Sequence, residues 1–172
     1  MQVIALLLGS LLVGPLQKPI DVCELLRNIE TYNGQIVTVR AFIGGGSRHG
    51  YYVTGNKNEL PCDSMTEARS SWPPTIALAW PGNGASQPGV PFERDLRAEE
   101  KLAESIRAVE QRRQQDEMVE ATFEGQIRTR PSITIFHDSR ENVYAGNGYG
   151  QFGMHPAQLI IKTVSNISIQ KK

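Results

Sequence analysis

The order of the elements along this chain constrains its fold more than any single motif. Gln35–Ile43 alternates, with Val37, Val39 and Ala41 on one side and Thr38 and Arg40 on the other, the period-two pattern of a half-buried strand. Tyr51–Val53 and Ile76–Trp80 read as two further short strands. A charged stretch, 93–117, then has helical spacing. Val119, Ala121, Phe123, Gly125 and Ile127 alternate with Glu120, Thr122, Glu124, Gln126 and Arg128 as the clearest strand of all. Gln158–Lys162 closes the series, and Val164, Ile167 and Ile169 continue its apolar pattern.

Three strands, a helix and two strands is the order of a small OB-type barrel. The expected fold is therefore mainly β with helices: an OB-like five-stranded barrel, an N-terminal helix, and a charged surface helix between strands three and four. Sixteen glycines and ten prolines suit a chain with many turns. Gly44-Gly45-Gly46 frees the backbone where a barrel strand would bend. Pro131 ends the alternating strand, and Ser132–His137 reads as a returning one. The loop 82–91 is rich in Gly, Pro, Ser and Asn.

Two helices are expected. In residues 20–31, Val22, Leu25, Leu26 and Ile29 form one apolar face, Asp21 can cap the N-terminus, and Tyr32-Asn33-Gly34 turns the chain. Over 93–117, Phe92, Leu96, Leu102, Ile106 and Val109 make a thin apolar stripe. Lys101, Glu104, Arg107, Glu110, Arg113 and Asp116 alternate in sign at every third residue. That ladder describes a solvated helix lying on a surface.

Residues 1–19 stand apart from the domain expected over 20–172. Val3–Val13 is an unbroken apolar and small-residue run ended by Gly14-Pro15. It is short for a bilayer span, which takes about 20 apolar residues, and suits the apolar centre of an export signal. No basic residue precedes Lys18, so the usual basic start is missing. The alternatives are a retained N-terminal anchor and a buried helix or strand. The expected location is extracytoplasmic, periplasmic or secreted. Two cysteines, Cys23 and Cys62, fit that compartment as a disulfide; the bland alternative is two buried thiols.

Little in the sequence carries chemistry. His49, His137 and His155 lack tight ligand spacing, so no metal is expected, and no cofactor. Gly148, Gly150 and Gly153 match the spacing of a dinucleotide-binding turn, but Pro156 and a strand follow where a helix is needed. No nucleophile elbow or zinc-protease motif occurs. His137-Asp138-Ser139 are adjacent and cannot face one another as a triad, and Glu99-Glu100 lie on the solvated helix. No catalytic residue is singled out. Basic and acidic residues number 18 each, so the basic excess of a phosphate-gripping protein is missing and nucleic acid is not an expected partner. Asn166-Ile167-Ser168 matches a glycosylation acceptor but lies in an expected strand.

The most suggestive segment is 144–155. Tyr144, Tyr149, Phe152 and His155 crowd onto a glycine-rich backbone just before the last strand. Aromatic rings on such a loop form either a contact surface for a ligand or partner, or ordinary packing. Loops at a barrel mouth are a common place for ligands.

The run Leu25–Val39, a short helix followed by Tyr32-Asn33-Gly34-Gln35-Ile36-Val37-Thr38-Val39, resembles the opening of small exported bacterial OB-fold-like proteins. The pair Cys23 and Cys62 and the ending Gly148–Leu159 are similar to the same group. Ala41 stands where such a strand often has Gly. The resemblance implies a fold and an extracytoplasmic site, and no catalytic residues. The functional expectation is a non-catalytic exported binding or interaction module for a protein or small ligand. A small extracytoplasmic hydrolase is the alternative and a nucleic-acid-binding barrel the third. Membrane contact follows only if the N-terminal segment is retained.

Overall fold

A computed structural model describes residues 18–46, 50–56, 62, 73–81, 90–112, 117–130, 135–137, 143–150 and 153–171. Most of the segment expected as an export signal or anchor lies outside the described residues. Among those described, no helix is long and apolar enough to cross a membrane.

Two short helices come first, α1 (Val22–Arg27) and α2 (Ile29–Tyr32). Asp21 caps α1 by accepting the Glu24 backbone N–H at 2.8 Å. The single helix expected here is broken at Asn28, whose φ of −111° is not helical. Its apolar face still holds together, with Val22, Leu25, Leu26 and Ile29 fully buried. Gly34 makes the following turn at φ +81°, a conformation open to glycine at no steric cost.

Five strands then build one sheet that closes in a ring. They are β1 (Ile36–Gly46), β2 (Gly50–Thr54), β3 (Thr75–Ala79), β4 (Glu117–Thr129) and, last in the chain, β7 (Ala157–Lys171). The order around the ring is β1-β2-β3-β7-β4, returning to β1. Every pairing is antiparallel except β3 with β7. The alternation read from the sequence sorts the faces. Val37, Val39 and Ala41 of β1 join Val119, Ala121, Phe123 and Ile127 of β4 in one buried cluster, while Arg40 is exposed and pairs with Glu120 at 3.0 Å.

β1 runs through all three glycines instead of ending before them, pairing Gly44 with Tyr52 and Gly45 with Tyr51. A Cβ at Gly44 would lie 2.4 Å from the Tyr52 ring, so the glycine lets that ring lie across the strand. β7 is also longer than expected, and its pairing with β4 shifts register twice. Asn166, at φ +51°, sits beside one shift and donates its side-chain amide to Thr122.

The strand expected over 132–137 is present at β5 (Ile135–His137), and it pairs with β6 (Val143–Gly146) as a separate hairpin, not with the ring. The charged helix is α3 (Leu96–Arg112), shorter than the expected 93–117. Asp95 caps it, accepting the Ala98 N–H at 3.0 Å. Leu96 does not belong to the apolar stripe. It is 66% exposed, and Ala98, Leu102 and Ile106 are buried instead, because the cap places the first helical residue facing solvent.

Cys23 on α1 and Cys62 are joined as a disulfide, with Cα atoms 5.3 Å apart. The bond ties Cys62 to α1.

Candidate functional site

Backbone hydrogen bonds tie residues 148–150 to residues 153–155. The Gly148 N–H donates to the Gly153 carbonyl at 2.6 Å, and Tyr149 and His155 exchange backbone bonds at 2.7 and 3.1 Å. Gly150 and Gly153 have φ of +81° and +62°. A Cβ at Gly148 would lie 2.3 Å from the His155 carbonyl oxygen. The three glycines that match a dinucleotide motif therefore serve this tight turn.

The turn lies on the outer face of β2 and β3. Tyr52 and Ala77 are cross-strand partners on that face, as are Thr54 and Thr75, while Val53 and Ile76 point into the core. The His155 ring lies 5.4 Å from that of Tyr52. Its Nδ1 is 2.7 Å from the Thr75 hydroxyl. Burial pushes the imidazole pKa down to about 4, so it is neutral at pH 7. Tyr149 is half-buried beneath the Arg130 guanidinium, 5.4 Å from its ring centroid, and donates its hydroxyl to the Thr129 carbonyl.

Of the four aromatic candidates, the structure thus brings Tyr149 and His155 together, both half-buried. Tyr144 lies in β6, with its side chain outside the description, and Phe152 is outside the described residues. The two described rings contact Tyr52, Thr75, Thr129 and Arg130. They cover a sheet face from outside. A hydroxyl beside a neutral imidazole has the make-up of a nucleophile–base pair. Here Thr75 is 4% exposed, and a Cβ at Gly150 would be 2.6 Å from the His155 ring. The pair is closed over by the turn.

A second location opens between α3 and the ring. Two contacts set the helix start. Asp95 accepts the Thr163 hydroxyl at 2.8 Å as well as its cap bond, and these bonds, the backbone one first, hold its carboxyl below the usual pKa. Arg94 pairs with Glu99 and places its guanidinium 5.9 Å from the Trp80 ring centroid. The helix is thus anchored at its N-terminal end against β7 and the end of β3. Farther along, a cavity of 390 Å³ remains beneath it, lined by Leu78, Trp80, Leu102, Ala103, Ile106 and Ile161. Its polar rim is Tyr51, Glu99, Arg107 and Glu110.

A second cavity of 210 Å³ continues on the other side of Tyr51, Ile106 and Glu110, toward Ile43 and Val119. Where the two meet, the Tyr51 hydroxyl donates to Glu110 Oε1 at 3.3 Å. Burial, and then the nearby Glu110 charge, raises the Tyr51 pKa above its ordinary value, so the phenol stays protonated.

The sequence reading missed Tyr51, Trp80 and Glu110 as site residues. The available signal was the thinness of the α3 stripe. A helix with so narrow an apolar face covers less of a sheet than it spans, and Leu78 and Trp80 are left half-buried beside it.

Against known protein families, characterised proteins and solved structures, this chain shows no match.

Proposed function

We propose that this chain is a non-catalytic, extracytoplasmic binding module on an OB-type barrel, with its ligand held in the cleft between α3 and the ring. The cleft carries the reading. Its volume of 390 Å³ falls in the range of small-molecule sites, which are mostly apolar with a few placed polar groups. The ring order β1-β2-β3-β7-β4, with β3 parallel to β7 and α3 between β3 and β4 in the chain, supports the OB-type assignment. A disulfide is compatible with an oxidising compartment, which supports kinship with small exported OB-like proteins.

One observation favours a hydrolase, the Thr75–His155 pair. Its hydroxyl-bearing residue, Thr75, is buried at 4% exposure, so the binding reading is preferred.

Thermal-shift screening against small amphipathic molecules tests the proposal. Hits should stabilise the protein, lose their effect in Ala103→Trp, which fills the cleft, and keep it in Tyr149→Ala. Hits that survive Ala103→Trp and vanish in Tyr149→Ala would move the site to the 147–155 turn.

A further inference from the structure

We infer that the cleft selects an amphipathic cation: an apolar body under α3 and a primary ammonium or similar donor group at the Tyr51–Glu110 junction. This rests on the cleft being the binding site and adds the class of ligand. Four charged side chains line the two cavities: Glu99, Arg107, Glu110 and Glu117. Three are carboxylates. Glu99 is held by Arg94 and Glu117 by Arg112 at 3.2 Å. Glu110 has a neutral partner, the Tyr51 hydroxyl, and no cation among the described residues. It also lines both cavities.

Arg107 is the one cation of the lining. It is exposed, and its Nε–H donates to the Ala103 carbonyl oxygen at 3.2 Å, toward its own helix. That contact is on the side of Arg107 away from Glu110 along the helix, so among the described residues the charge at the junction itself is that of the Glu110 carboxylate. A donor group there meets the free acceptor positions of Glu110 and the electron-rich face of Tyr51, an arrangement suited to cations. Leu78, Leu102, Ile106 and Ile161 supply the apolar wall for the body of the ligand.

Three probes with the same eight-carbon chain and different heads test this: octylammonium, octanol and octanoate, titrated by calorimetry at pH 7 into the full chain. Octylammonium is expected to bind at least about tenfold tighter than octanoate, a difference of about 1.4 kcal/mol, with octanol between them. Glu110→Gln, which keeps an acceptor for Tyr51, should abolish that preference, bringing the octylammonium and octanoate affinities within about twofold of each other. Equal or tighter binding of octanoate, or octylammonium affinity within about twofold of wild type in Glu110→Gln, overturns the inference while the cleft remains the site. Binding of none of the three overturns both the inference and the reading beneath it.

Discussion

The Thr75 hydroxyl and His155 Nδ1 lie 2.7 Å apart across 80 residues of sequence. That bond fastens the glycine-rich turn to the outer face of β2 and β3, next to the Tyr52 ring that Gly44 makes room for. Tyr149 and His155 thereby cover the outer face of the ring, and the imidazole is a half-buried neutral group.

A pH dependence follows with a definite sign. The His155 pKa is about 4 in the folded chain, below the ordinary 6.5, so the unfolded state binds the extra proton between these values. Its contribution to stability is complete above about pH 6.5 and is lost as pH falls toward about 4, by at most about 3 kcal/mol. Urea unfolding at pH 7, 5.5 and 4.5 should show wild type converging on His155→Phe as pH falls. Parallel curves would mean that the imidazole titrates alike in both states.

Asp95 acts with the same sign, lower on the pH scale in the carboxylate range. Its folded pKa is depressed by the Ala98 and Thr163 bonds, so its contribution is present above the ordinary carboxylate pKa and lost as pH drops through the folded value. Asp95→Ala should speed amide exchange at Ala98 and along the first turn of α3, leaving exchange in β4 unchanged. Equal protection of Ala98 in both proteins would remove Asp95 from its capping role.

Removing the Cys23–Cys62 bond opens a loop with a sequence separation of 39. On the chain-entropy account this costs roughly 4 kcal/mol. A Cys23→Ala, Cys62→Ala variant should lose about that much in denaturant unfolding. A loss under about 1 kcal/mol would show that the segment after β2 is held by other contacts.

Two glycine substitutions should differ sharply. A Cβ at Gly125 would lie 2.3 Å from the Ile160 carbonyl oxygen, a backbone atom at a register shift of β4 against β7. Gly125→Ala should cost upward of about 2 kcal/mol. At Gly46 the nearest atom is Glu110 Oε1 at 3.9 Å, so Gly46→Ala should change stability by less than about 1 kcal/mol. Similar melting temperatures for the two would contradict this account of the β4–β7 pairing.

What could be read from the residues tracks how far each feature depends on local periodicity. β4 was legible because Val119, Ala121, Phe123 and Ile127 face one core and Glu120 and Glu124 face away from it. The Asp21 cap and the Gly34 turn were legible because side chain and φ are set within a few residues. The extension of β1 through Gly44–Gly46 was not, since glycine carries no polarity pattern and its pairing depends on Tyr51 and Tyr52. The exposed position of Leu96 depends on where Asp95 starts the helix. The Tyr51–Glu110 junction joins side chains 59 residues apart, and no spacing within either segment announces it.

Methyl NMR of the isotope-labelled full chain, titrated with octylammonium, tests the binding site most directly. Saturable shifts should gather on Leu78, Leu102, Ile106 and Ile161, which line the cleft, with the methyls of Thr75 and Ala77 beneath the 147–155 turn unmoved. Shifts confined to the 147–155 turn, or none that saturate, would contradict a ligand site beneath α3.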